Sequence, residues 1–427
     1  MVEVQRLAAA ALGSVLAGRS LDATLAELWR RHSQLAARDR AAIQDLAYGT
    51  LRFLARFEAL LEALLDKPLK DARLRPLLLA ALYQLEHTRA APHAIVDHAV
   101  RASEALGLTS AKALVNAVLR NFLRHRSRLN ARIQRSEPAR YCHPQWWIDK
   151  LRVQYPAHYG AALEAANRHP PLTLRVNRRR SDLAGYLELL ARHGITAEAC
   201  GPSAVRLGKP LPAERIPGLA EGLVSVQDAA AQLAAPLLDL RDGMRALDAC
   251  AAPGGKTGHL LEIAAAEVTA LDADAGRLER VRANLARLGL GARVVCGDAC
   301  EPARWWDGVP YQRILADVPC SASGVARRHP DVKWLRRPSD IAQFAHQQSR
   351  MLDTLWQLLA SGGKLLYATC SVFEEENHEQ LARFLERHRD ATRLSLPAVD
   401  NHAQLPAGQL LPDERHDGFF YALLQKA

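Results

Sequence analysis

From residue 226 to residue 370 the chain alternates short apolar runs with amphipathic helical ones, and this alternation restricts the fold more than any other feature. QDAAAQLAAPLLDL reads as a helix, MRALDAC as a strand, TGHLLEIAAA as a helix, EVTALDAD as a strand and GRLERVRANLARLGL as a helix. ARVVCGDA and YQRILADV follow as strands, 340–359 as a helix and GKLLYATC as a strand. Strand and helix alternating in this way build an open sheet wound on both faces, with ligands bound at the C-terminal strand ends. Each conspicuous motif falls at such an end: CAAPGGKTGHLLE (250–262), VPCSASGV (318–325) and YATCSVFEEEN (367–377).

Upstream the pattern changes. From residue 2 to about 135, Ala and Leu recur at three- and four-residue spacing, with loop signals separating roughly seven helices. Composition breaks at 136–138 and 169–171, with a short amphipathic helix between. TLRVN then alternates like a strand, and SDLAGYLELLARHG reads as a helix. The expected organisation is an all-α domain over 1–138, a helical linker over 139–171, a small α/β module over 172–225 and a Rossmann-like α/β domain over 226–427.

Seven cysteines without a CxxC pair, and no apolar signal core, indicate free thiols in a reducing cytoplasm. No apolar run approaches membrane-spanning length. The net charge of +10 is concentrated: residues 101–180 hold 16 basic against 4 acidic side chains, whereas 181–427 hold 27 against 31. Arg120, Arg124, Arg126 and Arg128, with Arg178, Arg179 and Arg180, offer what a polyanion-binding surface needs, because each cation meeting a phosphate releases a counterion. The plainer reading is a solvated charged face.

The glycine turn fits neither common nucleotide motif. A P-loop needs glycine five residues before Gly255, where Cys250 stands, and Pro253, Gly254 and Gly255 lack the GxGxxG spacing of dinucleotide sites. A smaller adenosyl ligand remains. Gly254 and Gly255 allow close backbone approach, and Asp272, at the next strand end, can accept from ribose hydroxyls. Asp298, after the third strand, can bind the adenine edge or the amino-acid end, and carboxylates attract a sulfonium. S-adenosylmethionine is the economical ligand; helix N-caps are the plain alternative for either aspartate.

Cys320 follows Asp317 and Pro319, which fix a turn beside that pocket. Cys370 ends a strand and precedes Ser371, which reads as a helix start. Two thiols so placed suggest covalent activation of a pyrimidine, whose carbon 5 is a poor nucleophile until a thiolate adds to carbon 6. A buried cysteine in an apolar strand is more often structural. Cys250 reads as lining the turn, and Cys296 and Cys300 as packing residues.

Taken together, ALDACAAPGGKTGHLLE, LDADAGRLERVRANLARLG, VVCGDA, ILADVPCSASGVARRHPDVKWLRR and LLYATCSVFEEEN resemble the bacterial ribosomal-RNA cytosine-C5 methyltransferases of the RsmB (Fmu, Sun) type. The resemblance covers nearly the whole chain, including a NusB-like helical domain and an RRM-like extension. It implies transfer of a methyl group from S-adenosylmethionine to a cytosine of small-subunit ribosomal RNA. The chain itself is expected to act in the cytoplasm as a monomer, without an obligate protein partner or a metal. It implies Cys370 as the nucleophile on carbon 6, Cys320 as the residue assisting product release, Asp317 as a contact to base and cofactor, and Lys256 as the group orienting both. Cys250, Ala251, Ala252, Pro253, Gly254, Gly255, Lys256, Asp272, Asp298 and Asp317 match its cofactor positions. Two other readings stay open: an RNA-binding assembly factor without catalysis, and a methyltransferase acting on transfer RNA or DNA.

Overall fold

A computed structural model describes residues 1–396 and 406–427. The chain divides into two compact units, Met1–Arg168 with Ala326–Pro338, and His169–Val325 with Ser339–Ala427.

The first unit is helical. Seven helices precede residue 134: Val2–Leu16, Leu21–Arg31, Ala37–Arg52, Leu54–Leu64, Leu74–His87, Pro92–Ala105 and Lys112–Ile133. Their apolar faces close one core around Phe57 and Phe122, both 0% exposed. The helix Leu74–His87 is the central one; its LLLAALYQL run is buried on all sides, as expected of a helix apolar all round. Ser20 caps the second helix by accepting from the Ala23 amide. Ala326–Pro338 completes this unit although it lies in sequence between strands of the other. Trp334 donates from its indole to the Leu51 carbonyl at 2.7 Å, and Asp331 accepts from the Leu21 amide at 2.8 Å. Lys333 is fully buried and donates to the Arg52 carbonyl at 2.7 Å, the Cys142 carbonyl at 2.9 Å and Asn167 Oδ1 at 2.9 Å. Burial pushes its pKa down to about 7.

The second unit holds two sheets. β1 (Thr173–Val176), β2 (Ala197–Ala199), β3 (Ala204–Leu207) and β4 (Val224–Val226) form an antiparallel sheet in the order β2-β3-β1-β4, beside the helix Leu183–Arg192. β5 (Arg245–Asp248), β6 (Glu267–Asp272), β7 (Arg293–Cys296), β8 (Tyr311–Asp317) and β9 (Leu359–Thr369) form the parallel part of the larger sheet. β10 (Ala391–Leu394), β11 (Gln409–Leu410) and β12 (Phe419–Lys426) complete it, giving the path β10-β12-β9-β8-β5-β6-β7 with β11 on β12. The doubly wound reading holds for the centre, where the apolar strands are covered on both faces. The antiparallel edge built by β12 on β9 was not read from the sequence.

One predicted helix is much shorter than expected. Within 227–240 only Ala234–Leu237 is α-helical, after a tight turn at Ala231–Leu233. Pro236 has no amide to extend the ladder, and Asp239 leaves the helical region at φ +53°.

Candidate active site

The C-terminal strand ends converge where the alternation places them. After β5 the chain runs through residues 249–254 into the helix Gly255–Ile263. Gly254 sits at φ +95°, and a Cβ there would lie 3.1 Å from Val281 Cα, so this turn needs glycine. The turn is held from β6: Ala251 donates to the Leu271 carbonyl at 2.9 Å, and the Ala252 amide donates to Asp272 Oδ2 at 3.1 Å. Asp272 Oδ1 also accepts from the Asp274 amide at 3.1 Å. The cap of the next helix, Ala275–Leu288, is Asp274, so Asp272 is not an N-cap. Asp298 is exposed after β7 and accepts from the Cys300 amide at 2.8 Å.

Lys256, on the first turn of its helix, donates to Asp317 Oδ2 at 2.6 Å, at the end of β8. Its ammonium lies 5.5 Å from the centroid of Phe419 on β12. Burial opposes the charged amine, but the charge and hydrogen bond of Asp317, helped by Cys370, outweigh it and push the pKa up. Cys250 is half-buried with its sulfur 3.8 Å from Met351 Sδ, and burial with three nearby aspartates pushes its thiol well up.

The two candidate thiols meet. Cys320 Sγ and Cys370 Sγ are 3.3 Å apart, although 50 positions separate them in the chain. Strand pairing causes this, because β8 and β9 run parallel with Asp317 in register with Ala368. The hydrogen bond to Cys370 and burial push the Cys320 thiol well up.

Beneath the sulfurs lies a buried polar network that sequence reasoning missed. Glu376, 0% exposed, accepts from the Ser321 amide at 2.8 Å, from Gln348 Nε2 at 3.0 Å and from the Ser371 hydroxyl. Ser323 Oγ accepts from the Val372 amide at 2.9 Å. Asn377 Nδ2 donates to the Ser371 carbonyl at 3.0 Å, while its Oδ1 accepts from Thr369 at 2.6 Å. These bonds tie the two cysteine loops into one rigid piece. Gly324 completes the closure: a Cβ there would fall 2.2 Å from the Gly418 carbonyl oxygen. Ser371 therefore starts no helix; its hydroxyl is spent inside the network, and the following helix begins at His378. The only legible signal was the run EEEN itself, which does not say which glutamate turns inward.

Three further expectations need correction or extension. Cys296 is exposed, not a packing residue, while Cys300 is half-buried. Arg120, Arg124, Arg126 and Arg128 are exposed along the helix Lys112–Ile133, as a polyanion surface requires. Arg179 and Arg180 are exposed too, but each donates within its own unit, to the carbonyls of Glu262 and Glu221. Arg175 on β1 is buried and was not singled out. It pairs with Glu262 at 2.6 Å and 2.9 Å and donates to the Gly255 carbonyl at 2.6 Å, so the small sheet grips the helix that follows the glycine turn.

Comparison with known proteins agrees with this anatomy. Residues 235–425 match the family model for the 16S rRNA methyltransferase RsmB/F, residues 143–214 that for the RsmF/B-like ferredoxin-like domain, and residues 3–124 that for the NusB family. The ribosomal RNA small subunit methyltransferase B of Pseudomonas putida is 48% identical, over 99% of this chain and 98% of its own. The crystal structure of PH0851 superposes over 100% of this chain and 99% of its own, with TM-score 0.80 and 21% identity, which shows a shared fold. That of NSun6 from Pyrococcus horikoshii with SFG covers 66% of this chain and 98% of its own, with TM-score 0.57 and 20% identity.

Proposed function

The chain belongs to the ribosomal RNA small subunit methyltransferase B family, and from that premise we propose that it methylates carbon 5 of a cytosine in 16S ribosomal RNA through a covalent bond from Cys370 to carbon 6. The observation that carries this reading is the 3.3 Å contact between Cys320 and Cys370 beside the Lys256–Asp317 pair.

The residues present suit S-adenosylmethionine. Its ribose hydroxyls can donate to Asp272, whose carboxylate the turn amides hold in place, and the glycine turn over residues 250–255 lets the backbone approach the ligand. Asp298 and Asp317 add the carboxylates that a cationic ligand needs. When bound, the cofactor supplies an electrophilic methyl group. Losing Asp272 removes charge-assisted hydrogen bonds, so Asp272→Ala is expected to weaken cofactor binding by roughly 1 to 3 kcal/mol. Calorimetry with S-adenosylmethionine checks this, and an unchanged affinity would place the adenosine elsewhere.

The chain's own groups act in sequence. Cys370 attacks carbon 6 as a thiolate, held by the Lys256 cation and by the Cys320 thiol. Asp317 accepts from the base or from Lys256 and fixes the ring. Carbon 5, now nucleophilic, takes the methyl group and then gives its proton to solvent water; the freed electron pair re-forms the 5,6 double bond and Cys370 leaves carbon 6 as a thiolate. Cys320, hydrogen-bonded to the departing sulfur, assists that elimination. Cys320→Ala should therefore accumulate an RNA–protein adduct that survives a denaturing gel when RNA and cofactor are both present. No adduct, with turnover at the wild-type rate, would return Cys320 to a packing role and remove the elimination step.

A further inference from the structure

The pairing of β8 with β9 delivers the two cysteine loops to one place, but the ladder stops short of the sulfurs. Its last pair is Asp317 with Ala368, and the Val318 amide makes a further bond across, to the Ala368 carbonyl at 3.1 Å. Cys320 and Cys370 both lie outside the strands. Side chains hold them there.

One fully buried carboxylate sits at the centre of these side chains. Glu376 bonds the residue that follows each cysteine: Oε1 accepts from the Ser321 amide at 2.8 Å, and Oε2 accepts from the Ser371 hydroxyl. Oε1 also accepts at 3.0 Å from Gln348 Nε2, which donates at 3.0 Å to the carbonyl of Pro319, the residue before Cys320. Asn377 takes the residue before Cys370, accepting from the Thr369 hydroxyl at 2.6 Å. Glu376 is itself pinned, since its carbonyl accepts from the Tyr367 hydroxyl at 2.6 Å. Every residue flanking either cysteine is thus held by Glu376 or by one of its neighbours in the network.

Filling space does not require a carboxylate here. Burial pushes the Glu376 pKa up and the bonds from Ser321, Ser371 and Gln348 pull it back, whereas an apolar side chain would fill the same volume without either effect. A fixed spacing of the sulfurs does require such a group, because reacting atoms must be held to within about 0.5 Å by the residues behind them. Attack on carbon 6 uses the Cys370 sulfur alone, but the elimination uses Cys320 against that sulfur, across the 3.3 Å contact. We infer that Glu376 is a positioning residue for product release, holding the Cys320 loop against the Cys370 loop so that the covalent adduct resolves. The inference rests on the reading of Cys370 as nucleophile and Cys320 as its partner in elimination, and adds the group that sets their spacing.

The test compares the wild type with Glu376→Ala and Glu376→Gln, using 16S ribosomal RNA and S-adenosylmethionine. Glu376→Ala should lower kcat about ten- to a hundredfold, the scale of an ångström-sized misplacement, with KM for RNA within about twofold. The share of enzyme trapped as RNA adduct on a denaturing gel should rise as turnover falls. A purely structural defect lowers both together, because unfolded chain forms no adduct. Glu376→Gln keeps the Oε1 acceptor and the shape of the side chain, so it should recover most of the turnover and release the adduct. Sulfur spacing is read without RNA by diamide, a diazene reduced to its hydrazine by the two protons and two electrons that the thiols of Cys320 and Cys370 give up as their disulfide forms. Peptide mapping should find that cross-link in the wild type and in Glu376→Gln, forming about tenfold slower in Glu376→Ala. Should Glu376→Ala fail to bind S-adenosylmethionine and so fail to fold, Gln348→Leu decides, since it frees the Pro319 carbonyl and should raise the adduct share in the same direction. Wild-type turnover and adduct share in the folded variant overturn the positioning role, as does equal cross-linking in all three proteins or a wild type that forms no such cross-link. Methylation by Cys370→Ala refutes the nucleophile reading, and the inference with it; an inactive Cys370→Ala beside an indifferent Glu376→Ala refutes the inference alone.

Discussion

Cys370→Ala is expected to abolish methyl transfer to 16S ribosomal RNA while S-adenosylmethionine binds within about twofold of the wild-type affinity. The thiol activates the pyrimidine ring and holds no part of the adenosyl group, so its loss removes a covalent step rather than a binding contact. Deleting the nucleophile of a covalent enzyme costs on the order of 10⁴-fold or more in turnover. Structural damage should be small, because Cys370 is only partly buried and the polar network below rests on Ser371, Glu376 and Asn377 instead. The measurement is tritium transfer from labelled cofactor under single-turnover conditions, with calorimetry for the cofactor. Turnover within tenfold of wild type would shift the nucleophile to another residue, with Cys320 the first candidate. The adduct expected of Cys320→Ala must also vanish in the double variant, since no bond to carbon 6 can form.

Arg175→Ala should destabilise the second unit by about 3 to 5 kcal/mol, the cost of leaving one member of a buried ion pair without its partner. The side chains of Arg175 and Glu262 are 0% and 2% exposed, so losing the guanidinium leaves the Glu262 carboxylate buried without its charge partner. The Gly255 carbonyl loses a donor in the same step, next to the cofactor turn. Arg175→Met combined with Glu262→Leu removes both charges and fills similar volume, and it should cost much less than the single change. Urea unfolding of the three proteins checks this. A single variant within 1 kcal/mol of wild type, or a double variant less stable than the single one, would show that the pair is not what joins the small sheet to the catalytic helix.

Sequence alone determined the fold class and the places on the sheet where the candidate site residues fall. Strand and helix leave their period in the chain locally, so the alternation after residue 226 fixed a parallel sheet and placed Asp272, Asp317, Cys320 and Cys370 at or just beyond its C-terminal strand ends. The turn at Gly254 was legible for the same reason: a backbone at φ +95° needs glycine whatever surrounds it.

Tertiary structure decided what depends on residues far apart in the chain. Only the pairing of β8 with β9 brings the two sulfurs within 3.3 Å, and only the fold of 371–377 selects Glu376 from three consecutive glutamates as the buried acceptor. The basic run at 178–180 looks like free surface charge in sequence, yet Arg179 and Arg180 donate to backbone carbonyls of other segments. Lys333 reads as one more solvated lysine until the fold buries it among three oxygen acceptors of the helical unit. Charge and period are written residue by residue, whereas burial and the identity of a hydrogen-bond partner belong to the packed chain, and these decide whether a charged side chain serves as a surface, a strut or part of a site.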